Sequence, residues 1–229
     1  MQDGIWLKQY KCGRKTCDNV QAEEPPPKPN TVKLPGKLYF DIEAGYSKFL
    51  AFERKVPSKY LSMPFEEGII LGWAAAWLDE NNDFQYIYSH FVKQAESLIG
   101  DDKRILQEIW GLLDSADFLI GHNSDGYDLK MLRGRFEHWG MDFPWEAKQI
   151  DTLKLSRKYT KRISHSLDYL TGGKKKEIDG DDWRKIALTG DPDALRRMEE
   201  YCRQDVRAGI DWFRDFTRKL QASGVKVYK

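Results

Sequence analysis

One short stretch constrains this chain more than any other: Lys37–Ala44 (KLYFDIEA), an apolar run that closes on two acids. Its aromatic and β-branched content predicts a buried strand. Side chains alternate across a strand, so Asp41 and Glu43 share one face while Phe40 and Ile42 occupy the other. Two carboxylates two residues apart on such a strand repel each other and lose hydration, which is costly unless a cation neutralises them. Hard divalent cations, Mg²⁺ or Mn²⁺, suit an all-oxygen site. A pair at a sheet edge facing water is the other arrangement compatible with so short a pattern.

The pattern beyond that strand is alternating α/β. Ile69–Leu78 and Phe84–His90 read as two further strands joined by the turn composition Asp79-Glu80-Asn81-Asn82-Asp83, hence a hairpin. Asp102–Ser115 carries Ile105, Ile109, Leu112 and Leu113 at helical spacing. Asp117–Ile120 reads as a fourth strand broken by Gly121, and Leu129–Trp139 as a helix with Leu129, Leu132, Phe136 and Trp139 on one stripe. Ile150–Leu155 fits either a fifth strand or the start of a helix. From Ser166 to about Ala222 the chain reads as mostly helical, interrupted at Gly172-Gly173 and Gly190-Asp191-Pro192. Three antiparallel strands followed by strand–helix alternation predict a mixed sheet flanked by helices. Residues 1–35 differ: they hold Cys12 and Cys17, then the proline-rich run Glu23–Pro29, and read as an appendage and linker before a domain spanning 36–229.

Two more stretches carry chemistry. In Leu119-Ile120-Gly121-His122-Asn123-Ser124-Asp125-Gly126-Tyr127-Asp128 a strand runs into a polar turn and then a helix, a junction that often builds sites in α/β proteins. Asp128 there also fits a helix N-cap and Asp125 a plain Asx turn. In Glu199–Val206, Tyr201 and Asp205 are four apart and so neighbours on one helix face, an arrangement that also fits a hydrogen-bonded surface pair.

Together the three stretches resemble, in the usual order, the three exonuclease motifs of the DEDD (DnaQ-like) 3′–5′ exonuclease superfamily. Phe-Asp41-Ile-Glu43 resembles the first motif, His122-Asn123-x-x-x-Tyr127-Asp128 the second, and Tyr201-x-x-x-Asp205 the third in its tyrosine (DEDDy) form. Tyr-Cys-x-x-Asp is similar to the proofreading exonuclease domain of family B DNA polymerases. The resemblance covers about Gly36 to Phe216 and implies an RNase H-like fold. It also implies that Asp41, Glu43, Asp128 and Asp205 hold two divalent ions, Mg²⁺ or Mn²⁺, and that phosphodiester bonds are hydrolysed from the 3′ end of single-stranded or frayed DNA. Tyr201 would orient the attacking water; its phenol, with an ordinary pKa of about 10, is a poor free base. Asn123, His122 and Tyr127 are implied as substrate-side residues, with His122 supporting and not ligating metal. Nothing resembles polymerase palm or fingers, so a free-standing nuclease or a subunit working with a replication or repair protein is expected. A 3′–5′ exoribonuclease, a catalytically silent nucleic-acid-binding assembly module, and an endonuclease of the wider RNase H-like fold are the alternatives.

Charge adds a substrate expectation. With 37 lysines and arginines against 36 acids the chain is no global polyanion binder, but the distribution is uneven. Tyr60–Asp128 holds 13 acids against 3 basic residues, whereas Lys154–Lys176 holds 8 basic residues, among them Lys174, Lys175 and Lys176, against Asp168 alone. With Tyr159 and Tyr169 interleaved, that strip suits a single-stranded DNA or RNA backbone, though it also suits a solvated face. Three scattered cysteines do not make a disulfide framework; free thiols in a reducing compartment are expected. Met1–Tyr10 lacks a signal-peptide pattern, and the longest apolar run, Gly68–Leu78, is far short of the roughly 20 residues a bilayer requires, so a cytoplasmic protein without membrane contact is expected.

Overall fold

The computed structural model describes residues 36–47, 67–144, 147–173 and 178–228. The appendage 1–35 with Cys12 and Cys17, and the lysines Lys174, Lys175 and Lys176, lie outside them.

Five strands form one sheet in the order β3-β2-β1-β4-β5. They are β1 (Lys37–Ala44), β2 (Ile70–Leu78), β3 (Tyr88–Phe91), β4 (Phe118–Gly121) and β5 (Lys148–Asp151). β1 pairs antiparallel with β2, and β2 with β3; β4 runs parallel to β1, and β5 to β4. The helices are α1 (Gln94–Ile99), α2 (Lys103–Ser115), α3 (Asp128–His138), α4 (Thr152–Tyr159), α5 (Leu167–Thr171), α6 (Gly180–Thr189) and α7 (Pro192–Ala222). This is the mixed α/β sheet flanked by helices, of RNase H-like type, that the sequence leads one to expect. None of the described helices is long and apolar enough to cross a membrane.

Alternation along β1 sorts the core into two layers. Leu38, Phe40 and Ile42 pack with Ile105, Ile109, Leu112, Leu132 and Phe136, from α2 and α3. Tyr39, on the opposite face, packs with Cys202, Val206, Ile210 and Phe213 of α7. Helix α7 begins on Pro192 with Asp191 as its cap, the carboxylate accepting from the Ala194 N–H at 2.8 Å. It lies unusually close to β1 at Gly209, where an added Cβ would sit 2.0 Å from the Tyr39 hydroxyl. The opposite layer is pinned by a buried ion pair. Asp102 accepts from Arg135 Nε at 2.8 Å, from Trp139 Nε1 at 2.7 Å and from the Ile70 N–H at 2.8 Å.

The third strand differs from the sequence reading. It covers Tyr88–Phe91 and not Phe84–His90. The turn before it closes on itself, Asp79 accepting from the N–H groups of Asn81 and Asp83. The Ile87 carbonyl, which would continue the ladder, accepts instead from Arg203 of α7 at 2.8 Å.

Candidate active site

Three distant segments meet at the carboxyl end of β1. The strand turns Asp41 and Glu43 to the face covered by α7, Asp41 half-buried and Glu43 buried. Asp128 opens α3, one residue past the Tyr127 cap, and is itself buried; it is therefore not the N-cap. Its Oδ1 accepts from the Ile42 N–H at 3.3 Å, between the two acids of β1. From α7 comes Asp205, also buried, and one turn earlier Cys202, whose Sγ lies 3.7 Å from the Asp41 carbonyl and 3.8 Å from Asp41 Oδ2. Ligating atoms of Asp41, Glu43 and Cys202 fall within 4.8 Å of one another.

All four carboxylates act on the same buried thiol. Burial pushes the Cys202 thiol well up, and the charges of Asp41, Glu43, Asp205 and Asp128 push it further. Burial likewise raises the Asp128 carboxyl to about 6, against the favourable hydrogen bonds it accepts. The Tyr39 phenol beneath the site is raised by burial and then by Asp41, Asp205 and Asp128. So dense a set of partly desolvated oxygens fits hard divalent cations. Cys202, held as a protonated thiol against Asp41, is a hydrogen-bond donor and a poor partner for such an ion.

The turn between β4 and α3 is fixed from several sides. A Cβ at Gly121 would meet the Ser124 Cβ at 2.7 Å, so only glycine allows the chain to fold back there. Asn123 adopts φ of 63°, a left-handed conformation that asparagine tolerates, and its carbonyl accepts from the N–H groups of Gly126 and Tyr127. His122 Nδ1 lies 2.9 Å from the Oγ1 of fully buried Thr152, which makes the ring a strut. Asp125 pairs with Lys154, a more specific role than a plain Asx turn.

Sequence reasoning missed Asp151. Its carboxylate caps α4, accepting from Leu153 N–H at 2.9 Å, and also accepts from Asn123 N–H at 3.0 Å. Burial and then the neighbouring Asp125 raise its carboxyl to about 6. The signal was an Asp-Thr pair between a strand-like run and a helix-like run, the pattern of an N-cap.

His122, Asn123 and Tyr201 line one cleft of about 1240 Å³, together with Leu153, Arg157 and His165. Tyr127 is not among the residues lining that cleft; it is half-exposed, and its phenol is raised by partial burial and then by the charges of Asp128 and Glu43. The described members of the basic strip point to different places, while Lys174, Lys175 and Lys176 lie outside the described residues. Lys154 is engaged by Asp125, and Arg162 lines a separate hollow with Trp212 and Asp215. Arg157 alone of these three faces the cleft.

With sheet order and site in place, the class is an α/β fold with a cluster of acids at the carboxyl end of its central strand. Among solved structures it is similar to the family B DNA polymerase from the hyperthermophilic archaeon Pyrobaculum calidifontis, with a TM-score of 0.56 and 17% identity. The match covers 82% of this chain and 25% of the polymerase, so this chain spans about a quarter of that protein's length. At that identity the likeness establishes the fold. No family model matches the chain, and no curated protein matches it.

Proposed function

We propose that the chain is a metal-dependent 3′–5′ exonuclease of the tyrosine DEDD type, acting on single-stranded or frayed ends in replication or repair. The observation that carries this reading is the hydrogen bond from Ile42 N–H to Asp128. It ties the second motif to the first, and α7 carries Tyr201 and Asp205 one turn apart. The structural likeness to a DNA polymerase supports a nucleic-acid substrate.

Asp41, Glu43, Asp128 and Asp205 present the oxygens that would hold two divalent ions, Mg²⁺ or Mn²⁺. Such ions, when bound, lower the pKa of a water and offset charge on the phosphate and the leaving 3′-oxygen. The chain's own residues do the rest. Tyr201, one turn before Asp205 and on the cleft wall, holds the attacking water through its hydroxyl. Asn123, fixed by Asp151, faces the nucleotide being removed. His122 keeps the turn in place through Thr152. Cys202 donates to Asp41 and keeps that carboxylate oriented.

The test uses 5′-labelled single strands of DNA and of RNA, incubated with Mn²⁺ or with EDTA and resolved by length. Stepwise shortening from the 3′ end, abolished by EDTA, is expected on at least one of the two. Internal cuts, or cleavage indifferent to EDTA, would overturn the reading.

A further inference from the structure

Helix α4 turns one side to the cleft. Leu153 and Arg157 both line it and, four residues apart, stack on one face of the helix. Among the described residues no carboxylate pairs with Arg157, a feature it shares with Arg133, Arg162, Arg203 and Arg207, and of these Arg157 alone lines the cleft. His165 lines the same cleft. Its Nδ1 is held at 2.8 Å by the hydroxyl of Ser156, a fully buried residue, which leaves Nε2 for the cleft. The cleft therefore runs from the motif residues His122, Asn123 and Tyr201 to a guanidinium and an imidazole, with Asp168 as the acid on its wall. Its volume, about 1240 Å³, exceeds the roughly 300–1,000 Å³ of a small-molecule pocket and leaves room for more than a terminal nucleotide. A phosphate away from the carboxylates receives no help from ions bound there, and a guanidinium fork suits it.

The geometry points to Arg157 and His165 as a binding site for an internucleotide phosphate of a single-stranded polynucleotide, upstream of the bond presented to the carboxylates. The assignment rests on the exonuclease reading of the cleft and adds where the strand leaves it. Arg157 is exposed, so replacing it does not disturb the core.

Two measurements on wild type, Arg157→Ala, Arg157→Lys and His165→Ala test it. One is the dissociation constant of labelled 12-residue oligothymidylate and oligouridylate, read by anisotropy in Ca²⁺, the two arms separating a DNA from an RNA strand. The other is Mn²⁺-dependent hydrolysis of the p-nitrophenyl ester of thymidine 5′-monophosphate, which has no internucleotide phosphate for Arg157 to bind. Arg157→Ala should weaken oligonucleotide binding about 10- to 100-fold, the range of a charge-assisted hydrogen bond. It should also lower the log–log salt slope by about 0.7, with Arg157→Lys recovering part of the loss. Hydrolysis of the ester should stay unchanged. An oligonucleotide affinity and salt slope indifferent to Arg157→Ala would overturn the site even if the ester is hydrolysed. Wild type that binds through Arg157 yet hydrolyses neither substrate would uphold the site and overturn the nuclease reading.

Discussion

Replacing Asp128 by asparagine should make the metal-free protein more stable, and the size of the gain follows from its surroundings. Asparagine keeps the side-chain volume and an oxygen for the Ile42 N–H. It removes a charge from a site where burial lifts the carboxyl from its ordinary 3.8 to about 6. Between those values the folded chain retains a proton that the unfolded chain has lost, so stability falls as pH rises through the window and the loss is complete above it. A gap of about two units corresponds to up to about 3 kcal/mol. For a protein of this size each kcal/mol moves Tm by about 2–4 °C. Thermal melting in EDTA at pH 8 should therefore place Asp128→Asn about 6–12 °C above wild type, and the two curves should converge near pH 4. Mn²⁺ at a hundred times its Kd stabilises wild type by about 2.7 kcal/mol and should erase the difference. A variant that melts at or below wild type at pH 8 in EDTA, or a gain of equal size at pH 4, would refute the reasoning.

Asp41→Ala and Asp205→Ala should each abolish cleavage of end-labelled strands while the apo proteins melt no lower than wild type, because removing one of several crowded carboxylates relieves repulsion. Tyr201→Phe should slow single-turnover cleavage about 30- to 1000-fold with strand affinity nearly unchanged, the loss of one hydrogen bond that matters at the transition state; cleavage at the wild-type rate would make Tyr201 structural. Asp102→Ala should destabilise the fold by about 3–5 kcal/mol in urea titrations, since it strands buried Arg135 and leaves Trp139 and Ile70 without their acceptor. A loss below 1 kcal/mol would show that water replaces the carboxylate.

The parts legible in the sequence were those set by local periodicity. The strand bearing Asp41 and Glu43 occupies Lys37–Ala44 as read, because alternation on a two-faced strand leaves no other register. Ile150–Leu155, which fitted strand or helix, proves to be both. Asp151 ends β5 and its carboxylate caps the first turn of α4, a switch decided by one side chain. Phe84–Ile87 has strand composition but loses its ladder to Arg203, more than a hundred residues away, and no local pattern reports that. The same holds for Asp102 with Arg135 and for Cys202 with Asp41, contacts created only when the layers close. The helix α1, six residues long, is too short for its periodicity to stand out. In the site, residue types and spacing named the acids. The Ile42–Asp128 hydrogen bond, the hold of Asp151 on Asn123 and the pairing of Lys154 with Asp125 needed the fold.

The central claim is that carboxylates from β1, α3 and α7 form one cation site, and calorimetric titration of Mn²⁺ into the apo protein tests it most directly. Two ions per chain are expected for wild type, with binding crippled in both Asp41→Ala and Asp205→Ala although these residues lie on different elements. Absence of binding to wild type, or binding that neither substitution alters, would contradict the account.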